Sequence, residues 1–277
     1  MNPFINAQGF ASTGMMTIFI GAVTNIILDP VFIFGLNLGV KGAAIATVVS
    51  QIISAVFVLL FLTGKKPELK LQRLKDVEFR FDEVGDVLSL GSSSFVMQCT
   101  NSLVQIACNS MLSQFGSDLY VSCMTVINSV RQILEVPVLA IGDGSSPILS
   151  YNYGAKNYKG VKKAIRIITC AGVFYTLVAW LFVFLFPSFF IHIFNDDSKL
   201  LQIAIPAIHM YFFAFVFQAF QYCGQTVFKS LNKKKQAIFF SLLRKVVIVV
   251  PLTFFLPYLG FGTMGVFMAE PISNFIG

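Results

Sequence analysis

The sequence predicts an all-α polytopic membrane protein with about eight transmembrane helices. Of its 277 residues, 56% are hydrophobic and only 12% are charged, and the mean hydropathy is +0.77. A soluble domain usually carries about 25% charged residues, so much of the charge that would solvate a water-exposed surface is missing. Apolar runs of about 20 residues, which is the length that crosses a hydrocarbon core of ~30 Å, recur along the chain. The alternating strands of a membrane β-barrel are not seen in the sequence.

Hydropathy gives eight predicted spans, and every second connection between them is basic. The spans cover residues 13–35, 41–62, 84–113, 118–146, 160–187, 201–230, 234–258 and 262–277. The basic residues gather in or beside the connections that follow the second, fourth and sixth spans: Lys65, Lys66, Lys70, Arg73, Lys75 and Arg80; Lys156, Lys159, Lys162, Lys163 and Arg166; Lys229, Lys233, Lys234, Lys235, Arg244 and Lys245. Basic loops stay in the cytoplasm, so this pattern predicts that both chain ends are cytoplasmic. The net charge of +7 is then a topology signal, which excludes a nucleic-acid-binding face.

The stretch 63–83 is the longest polar segment and divides the chain into residues 1–62, with two spans, and residues 84–277, with six. Two interpretations of this stretch stay open. It is either a solvated tether or an interfacial linker, because Leu69, Leu71 and Leu74 alternate with basic residues.

A short motif occurs in both parts. Gly39, Gly42, Ala46 and Ser50 recur 223 residues later as Gly262, Gly265, Ala269 and Ser273, and each copy follows a proline-containing apolar span. Small residues at this spacing also suit close helix contacts, but internal repeats are typical of transporter folds. If the two parts were once equal, four spans are missing before residue 1, so we expect the chain to be the C-terminal part of a twelve-span transporter.

Asn25 and Asp29 lie one helical turn apart, within an otherwise apolar run, and therefore share a face. A charged aspartate at mid-bilayer costs about 2.5–3.5 kcal/mol on insertion scales. The carboxyl group avoids this cost if it takes up a proton or binds a hard cation together with other oxygen atoms. The alternative is that Asp29 only ends the helix before Pro30, near the outer interface.

Two further spans carry stripes of neutral polar side chains. Interhelical hydrogen bonding explains such a stripe as well as a hydrated cavity wall does. Facing stripes would form a substrate cavity that hydrogen-bonds without a fixed charge. The stripe residues, three or four positions apart, are Gln98, Asn101, Gln105 and Asn109 in one span and Gln218, Gln221 and Gln225 in the other.

The remaining charged residues within the spans are few. Arg131 and Glu135 are four residues apart, which predicts an internal ion pair or a gating element. Glu270 is a weaker candidate, and Asp143 is expected near a helix end. His192 and His209 are expected to be structural polar residues rather than proton carriers.

No pattern in the sequence indicates an enzyme or a metal site. A phosphate-binding Gly-Lys-Ser/Thr loop is absent, so energy for transport would come from an ion gradient rather than from ATP. The five cysteines all lie in apolar segments without a Cys-x-x-Cys pair and are expected to be small buried hydrophobes.

Three stretches resemble the multidrug and toxic compound extrusion (MATE) family: "NIILDPVFIFGLNLGVKGAAIATVVSQ", "PILSYNYGAKN" and "SLLRK" followed by "PLTFFLP". The resemblance covers nearly the whole chain and is strongest to the bacterial branch. It implies that residues 1–62 are the last two helices of an N-lobe, that 63–83 is a cytoplasmic linker, and that 84–277 is a six-helix C-lobe.

The resemblance also implies a function. Such proteins sit in the cell inner (plasma) membrane and export lipophilic or cationic drugs by alternating access, in exchange for H⁺ or Na⁺ and with no other cofactor. Asn25, Asp29 and Thr47 match residues of the family's cation site, whose fourth member is outside this chain, whereas Asn101 replaces an acidic residue of other members. The substrates would be organic cations, without a nucleic-acid or protein partner. A flippase of lipid-linked sugars with the same fold, or a membrane protein without transport activity, remains the alternative.

Overall fold

The computed structural model describes residues 2–69, 81–195 and 197–276, and every regular element in these ranges is helical. The chain forms two compact units, Met1–Arg80 and Phe81–Gly277. Most of the predicted linker over 63–83 falls on residues 70–80, which lie outside the described ranges, so its two interpretations stay open.

The first unit is built from a short helix and two long ones. They are α1 (Asn2–Ala7), α2 (Ala11–Pro30), which continues as a π-helical turn over Val31–Gly35, and α3 (Gly39–Leu62). The Ser54 hydroxyl of α3 donates a hydrogen bond of 2.8 Å to the Thr17 carbonyl of α2. A small core of Ile5, Val58 and Leu62 closes one end of this helix pair.

The second unit holds nine α-helices and two π-helical stretches in its described part. One pair of these helices, α8 (Ser198–Phe212) and α9 (Phe215–Ser230), is bent by 49° at a break of two residues. The elements are α4 (Phe81–Phe115), α5 (Asp118–Gly154), α6 (Tyr158–Leu185), α7 (Pro187–His192), α8 (Ser198–Phe212), α9 (Phe215–Ser230), α10 (Lys234–Leu242), a π-helical stretch Leu243–Val249, α11 (Val250–Leu256), a second π-helical stretch Pro257–Phe261 and α12 (Gly262–Ile276).

The bent pair α8 and α9 occupies the predicted span over 201–230. Neither glycine nor proline lies at the break, which falls at Phe213 and Ala214. Phe212 and Phe215 on either side are both buried, with their ring centroids 5.2 Å apart. Phe212 and Phe215 thus lie in the same core on either side of the bend, while Phe213 between them is 71% exposed.

The core of the second unit lies between α4, α5, α8, α9 and α12. Its largest fully buried side chains include Phe212, Phe267 and Met111, while Trp180 and Tyr175 of α6 pack against it from one side. The outer helix faces carry many large apolar side chains, of which Val40 is 89% exposed. A soluble protein rarely exposes this much contiguous apolar surface, so these faces are suited to lipid.

Among the residues that the structure describes, five helical runs are long and apolar enough to cross a membrane, or six if the bent pair α8 and α9 counts as one span. The chain is therefore a multi-pass membrane protein. The run Lys234–Ile276 counts once although it holds two of the predicted spans, and Phe81–Phe115 is outside this set. The count of eight spans stays a prediction.

The two copies of the glycine motif have the same local geometry. Gly39 and Gly262 each begin a helix with φ at +53°, a conformation that L side chains rarely adopt. Three residues later, a Cβ atom added to Gly42 would lie 2.6 Å from a backbone atom of Phe32, and one added to Gly265 would lie 2.8 Å from a backbone atom of Leu256. Glycine is therefore required twice in each copy, once by backbone conformation and once by close helix approach.

Candidate functional site

Three cationic side chains converge on one carboxylate oxygen inside the second unit. The Lys245 ammonium and the Arg244 guanidinium donate hydrogen bonds of 2.8 and 2.9 Å to Oε1 of Glu270, and Arg131 lies 3.3 Å from the same atom. The Glu270 side chain is 5% exposed, Arg244 is 4% and Lys245 is 7%. Arg244 also donates to the Asn274 side chain, one turn beyond Glu270 on α12.

A second carboxylate extends this arrangement along α5 and α9. Arg131 donates from Nε to Glu135, one turn further along α5, and from NH1 to the Tyr211 hydroxyl at 2.6 Å. The Gln218 amide of α9 donates to the same Glu135 oxygen at 2.8 Å. We refer to Arg131, Glu135, Arg244, Lys245 and Glu270 as the charged cluster.

The charged cluster carries more positive than negative charge. Three cations and two carboxylates leave a formal sum of +1, and none of the five side chains is more than 16% exposed. Buried charges are expensive unless they are paired and hydrogen-bonded. Ionised residues inside a membrane unit usually mark a substrate or ion path, so this cluster is the strongest site candidate in the second unit.

A cavity of about 130 Å³ opens against the cluster, and we call it the charged cavity. Its polar wall combines cluster members with amides from α4 and α5. The wall residues that bear on function are Asn101, Gln105, Asn128, Arg131, Gln132, Glu135, Tyr211, Lys245 and Glu270.

A smaller cavity of about 50 Å³ shares Asn101, Arg131 and Lys245 with the charged cavity. Gln225 and Arg244 line this smaller cavity, and each has one buried side-chain atom without a hydrogen-bond partner: Oε1 of Gln225 and Nε of Arg244. Buried polar atoms are nearly always paired, so two orphaned atoms in one cavity wall indicate space for a further polar group.

The cluster corrects two sequence-based interpretations. Arg244 and Lys245 were grouped with the basic connection after the sixth span, but both are buried within the helical run that begins at Lys234. The stripes were expected to form a cavity without fixed charge, yet Arg131, Lys245 and Glu270 line it. Four basic residues of that third group, Lys229 to Lys235, remain in the connection, so the topology prediction does not depend on the buried pair.

The polar stripe on α4 reaches the cavity in part. Asn101 and Gln105 line the charged cavity, and Asn101 also donates a hydrogen bond of 3.2 Å to Gln98. Gln98 is exposed and Asn109 is half-buried, and neither belongs to the walls of the cavities described above.

The three glutamines of the stripe on α9 have different hydrogen-bond partners and surroundings. Gln218 is buried, and its amide also donates to the Tyr222 hydroxyl at 3.2 Å. Gln221 and Gln225 line the smaller cavity, and Gln225 donates to the Ala237 carbonyl at 3.3 Å. Gln218 thus donates a hydrogen bond to Glu135, while Gln221 and Gln225 line the smaller cavity.

The α5 wall of the charged cavity has a periodicity that is visible in the sequence. Asn128, Arg131, Gln132 and Glu135 follow the i, i+3, i+4, i+7 spacing of one helix face, and all four line the charged cavity. Of these four, only the charged residues Arg131 and Glu135 were predicted as a site.

In the first unit, Asn25 and Asp29 are in contact. The Asn25 amide donates a hydrogen bond of 3.3 Å to Oδ1 of Asp29, and both side chains are half-buried. Thr47 is exposed, and its hydroxyl donates to the Ala43 carbonyl on its own helix at 2.9 Å. Asn25 and Asp29 therefore form a hydrogen-bonded pair, while Thr47 is bonded to its own helix.

The minor candidates lie apart from the cluster. Asp143 is exposed, and a ring nitrogen of His209 is 3.1 Å from the Phe184 carbonyl oxygen. Across the part of the chain that the structure describes, no group of three or more His, Cys, Asp or Glu side chains could hold a metal ion.

Among curated proteins, this chain is similar to multidrug export proteins of staphylococci. It is 23% identical over 267 residues to Multidrug export protein MepA of Staphylococcus aureus strain MRSA252, a match that covers 96% of this chain and 58% of MepA. The protein of the same name from Staphylococcus saprophyticus is 22% identical over 266 residues, with the same coverage. The chain therefore spans about 58% of the length of these relatives.

Two solved structures share the fold. An outward-facing conformation of a multidrug resistance MATE family transporter of the MOP superfamily has a TM-score of 0.90 at 22% identity, covering 98% of this chain and 61% of that one. A MOP superfamily transporter from Pyrococcus furiosus, described as having a binding pocket of reverse polarity, has a TM-score of 0.90 at 23% identity, covering 97% of this chain and 60% of that one. The MatE family model matches residues 93–255. Because this match takes in more than half of the chain, the protein belongs to the MatE family.

Proposed function

We propose that the protein is a secondary active efflux transporter for small organic molecules, driven by an H⁺ or Na⁺ gradient and located in the plasma membrane. The observation that carries this proposal is the charged cavity, a polar space enclosed by apolar helices in a MatE-family chain. The names of the staphylococcal relatives, multidrug export proteins, support it. The exporter would move its substrate outward in antiport with the coupling ion by alternating access.

The Asn25–Asp29 pair is the proposed point of ion coupling. Asp29 is the only carboxylate on α2 and α3, and it already accepts a hydrogen bond from Asn25. Carboxylate and amide oxygens suit a hard cation, and a half-buried carboxylate in an apolar helix also suits a proton. Thr47 would join only after its hydroxyl leaves the Ala43 carbonyl. Each monovalent ion that crosses the membrane supplies about 2.3 kcal/mol per 100 mV.

A flippase of lipid-linked sugars is the second candidate, because such a function calls for a strongly basic cavity. Three buried cations, Arg131, Arg244 and Lys245, favour the flippase function, whereas the sequence predicted only Arg131 deep in a span. The carboxylates of Glu135 and Glu270 argue against it, since they reduce the formal charge of the cluster to +1. One surplus charge does not balance a pyrophosphate, so efflux of small molecules is the better-supported function.

The test is gradient-driven transport by the purified chain in proteoliposomes. Two fluorescent solutes of opposite charge, ethidium and dansylglycine, are offered in turn under imposed H⁺ and Na⁺ gradients. We expect at least one solute to accumulate only when a gradient is present. If neither moves under either gradient, the efflux proposal fails and a membrane protein without transport activity becomes the better interpretation.

The coupling role is tested with a matched pair of variants. Asp29→Asn removes one carboxylate charge from α2 and is expected to abolish gradient-driven accumulation, with the protein still present at wild-type level in the membrane. Glu68→Gln removes the same charge from an exposed position of the same unit and should leave accumulation intact. Unchanged transport by Asp29→Asn would refute the coupling role alone.

A further inference from the structure

The charged cluster has hydrogen-bonding capacity left over as well as charge. Lys245 carries three N–H donors, and Glu270 is its hydrogen-bond partner. Arg244 uses its two terminal nitrogens on Asn274 and Glu270, which leaves the buried Nε without a partner. Both residues line the smaller cavity, and Lys245 lines the charged cavity as well. Gln225 in the wall of the smaller cavity has one buried acceptor, Oε1, without a partner. The unused N–H groups of Lys245 and Arg244 outnumber this one acceptor.

The missing acceptor would also complete the charge balance. The cluster sums to +1, so one monovalent anion brings the buried charge to zero. An anion at this place would accept from the free donors of Lys245, and hydrogen bonds between ionised groups are the strongest kind. A cationic guest would instead add to an existing positive surplus.

The space limits the size of the guest. An apolar cavity of roughly 150 Å³ accepts a benzene ring, and the charged cavity measures about 130 Å³. Apolar side chains also line this cavity: Val104, Met124, Val249 and Val266. Its charged wall residues are two cations, Arg131 and Lys245, and two carboxylates, Glu135 and Glu270. The apolar part of the wall suits an organic guest better than a hydrated inorganic ion.

We propose that the carboxylate of a monoanionic aromatic or aliphatic acid binds where the two cavities meet, with Lys245 as its donor, and that the charged cavity receives the rest of the acid. This assignment rests on the proposed efflux function and names its substrate class: organic monoanions, or zwitterions that present a carboxylate. It replaces the expectation of purely cationic substrates.

The experiment compares three molecules of one shape and different charge. Benzoate is a monoanion, benzamide its neutral counterpart and benzylamine its cationic counterpart. Each is titrated into the purified full chain in detergent, at constant ionic strength with chloride as the balancing anion, and the unfolding temperature is recorded. A ligand that binds only the folded state raises this temperature, so we expect a rise with benzoate and none with the other two.

A matched pair of variants locates the effect. Lys245→Gln removes a cluster cation and leaves a neutral amide in its place, and Lys235→Gln makes the same change at an exposed position ten residues earlier. We expect Lys245→Gln to weaken benzoate binding by about tenfold or more, because a hydrogen bond to a charged group is worth at least one decade in affinity. Lys235→Gln should bind benzoate like the wild type.

Several results overturn the proposal. They are equal stabilisation by benzoate and benzamide, stabilisation by benzylamine in preference to benzoate, stabilisation by chloride that benzoate does not exceed, and no stabilisation at all. The wild-type comparison stands even if Lys245→Gln fails to fold. None of these results bears on gradient-driven transport in proteoliposomes, so failure of the substrate class is distinguishable from failure of the efflux function.

Discussion

Removal of the Glu270 charge tests the description of the cluster most directly. Glu270→Gln keeps the shape of the side chain but replaces the carboxylate oxygen that Arg131, Arg244 and Lys245 share. The cluster sum rises from +1 to +2 in a site where none of these side chains is more than 16% exposed. We therefore expect a large loss of stability.

The magnitude follows from the contacts. In Glu270→Gln the bonds from Arg244 and Lys245 keep an ionised donor but lose the ionised acceptor, so each loses part of the about 1.5–3 kcal/mol that a hydrogen bond to a charged group contributes. The lost attraction to Arg131 at 3.3 Å adds to this. We therefore expect the roughly 3–5 kcal/mol loss found when one partner of a buried ion pair is removed.

The assay is reversible unfolding in mixed micelles with increasing sodium dodecyl sulfate. Asp143→Asn, which removes one carboxylate charge from an exposed position of the same unit, is the control and should stay within about 0.5 kcal/mol of wild type. The double variant Glu270→Gln with Lys245→Gln returns the sum to +1 and should be more stable than Glu270→Gln alone. A free energy of unfolding for Glu270→Gln within about 1 kcal/mol of wild type would refute the reasoning.

Two further predictions concern packing. Gly265→Ala places a methyl group 2.8 Å from a backbone atom of Leu256 and should cost about 1–3 kcal/mol of unfolding free energy, whereas Gly144→Ala meets no atom within 4 Å and should be neutral or stabilising; equal effects of the two would contradict the close helix approach. Phe212→Ala opens a cavity in the core and should cost about 3–5 kcal/mol, while Phe213→Ala, at a side chain that is 71% exposed, should leave the unfolding midpoint nearly unchanged. The same micelle titration measures all four variants, and a smaller loss for Phe212→Ala than for Phe213→Ala would show that the bend is placed wrongly.

Local patterns in the sequence predicted the parts of the fold that depend on near neighbours. The helical character, the family and the contact between Arg131 and Glu135 follow from periodicity, motifs and a spacing of four residues. The bend at Phe213 and Ala214 was not predicted, because an apolar run without glycine or proline at the break carries no local signal for it.

The site was harder to predict because its partners are far apart in the chain. Glu270 lies 139 residues from Arg131 and 25 from Lys245, and no spacing rule connects them. Arg244 and Lys245 were assigned to a basic connection because four basic residues precede them. A helix rises about 1.5 Å per residue, so Arg244 lies about 14 Å beyond Lys235, which is too deep for the headgroup region. The depth of Arg244 could therefore have been predicted from the sequence.

The shared oxygen of Glu270 also has a consequence for biogenesis. Arg244 and Lys245 leave the ribosome 26 and 25 residues ahead of their counter-charge. Each basic side chain at the centre of a lone segment opposes insertion by about 2.5–3.5 kcal/mol. The segment that carries them is therefore expected to wait at the translocon until α12 emerges, so that both enter the bilayer as a single hairpin with its salt bridges already made.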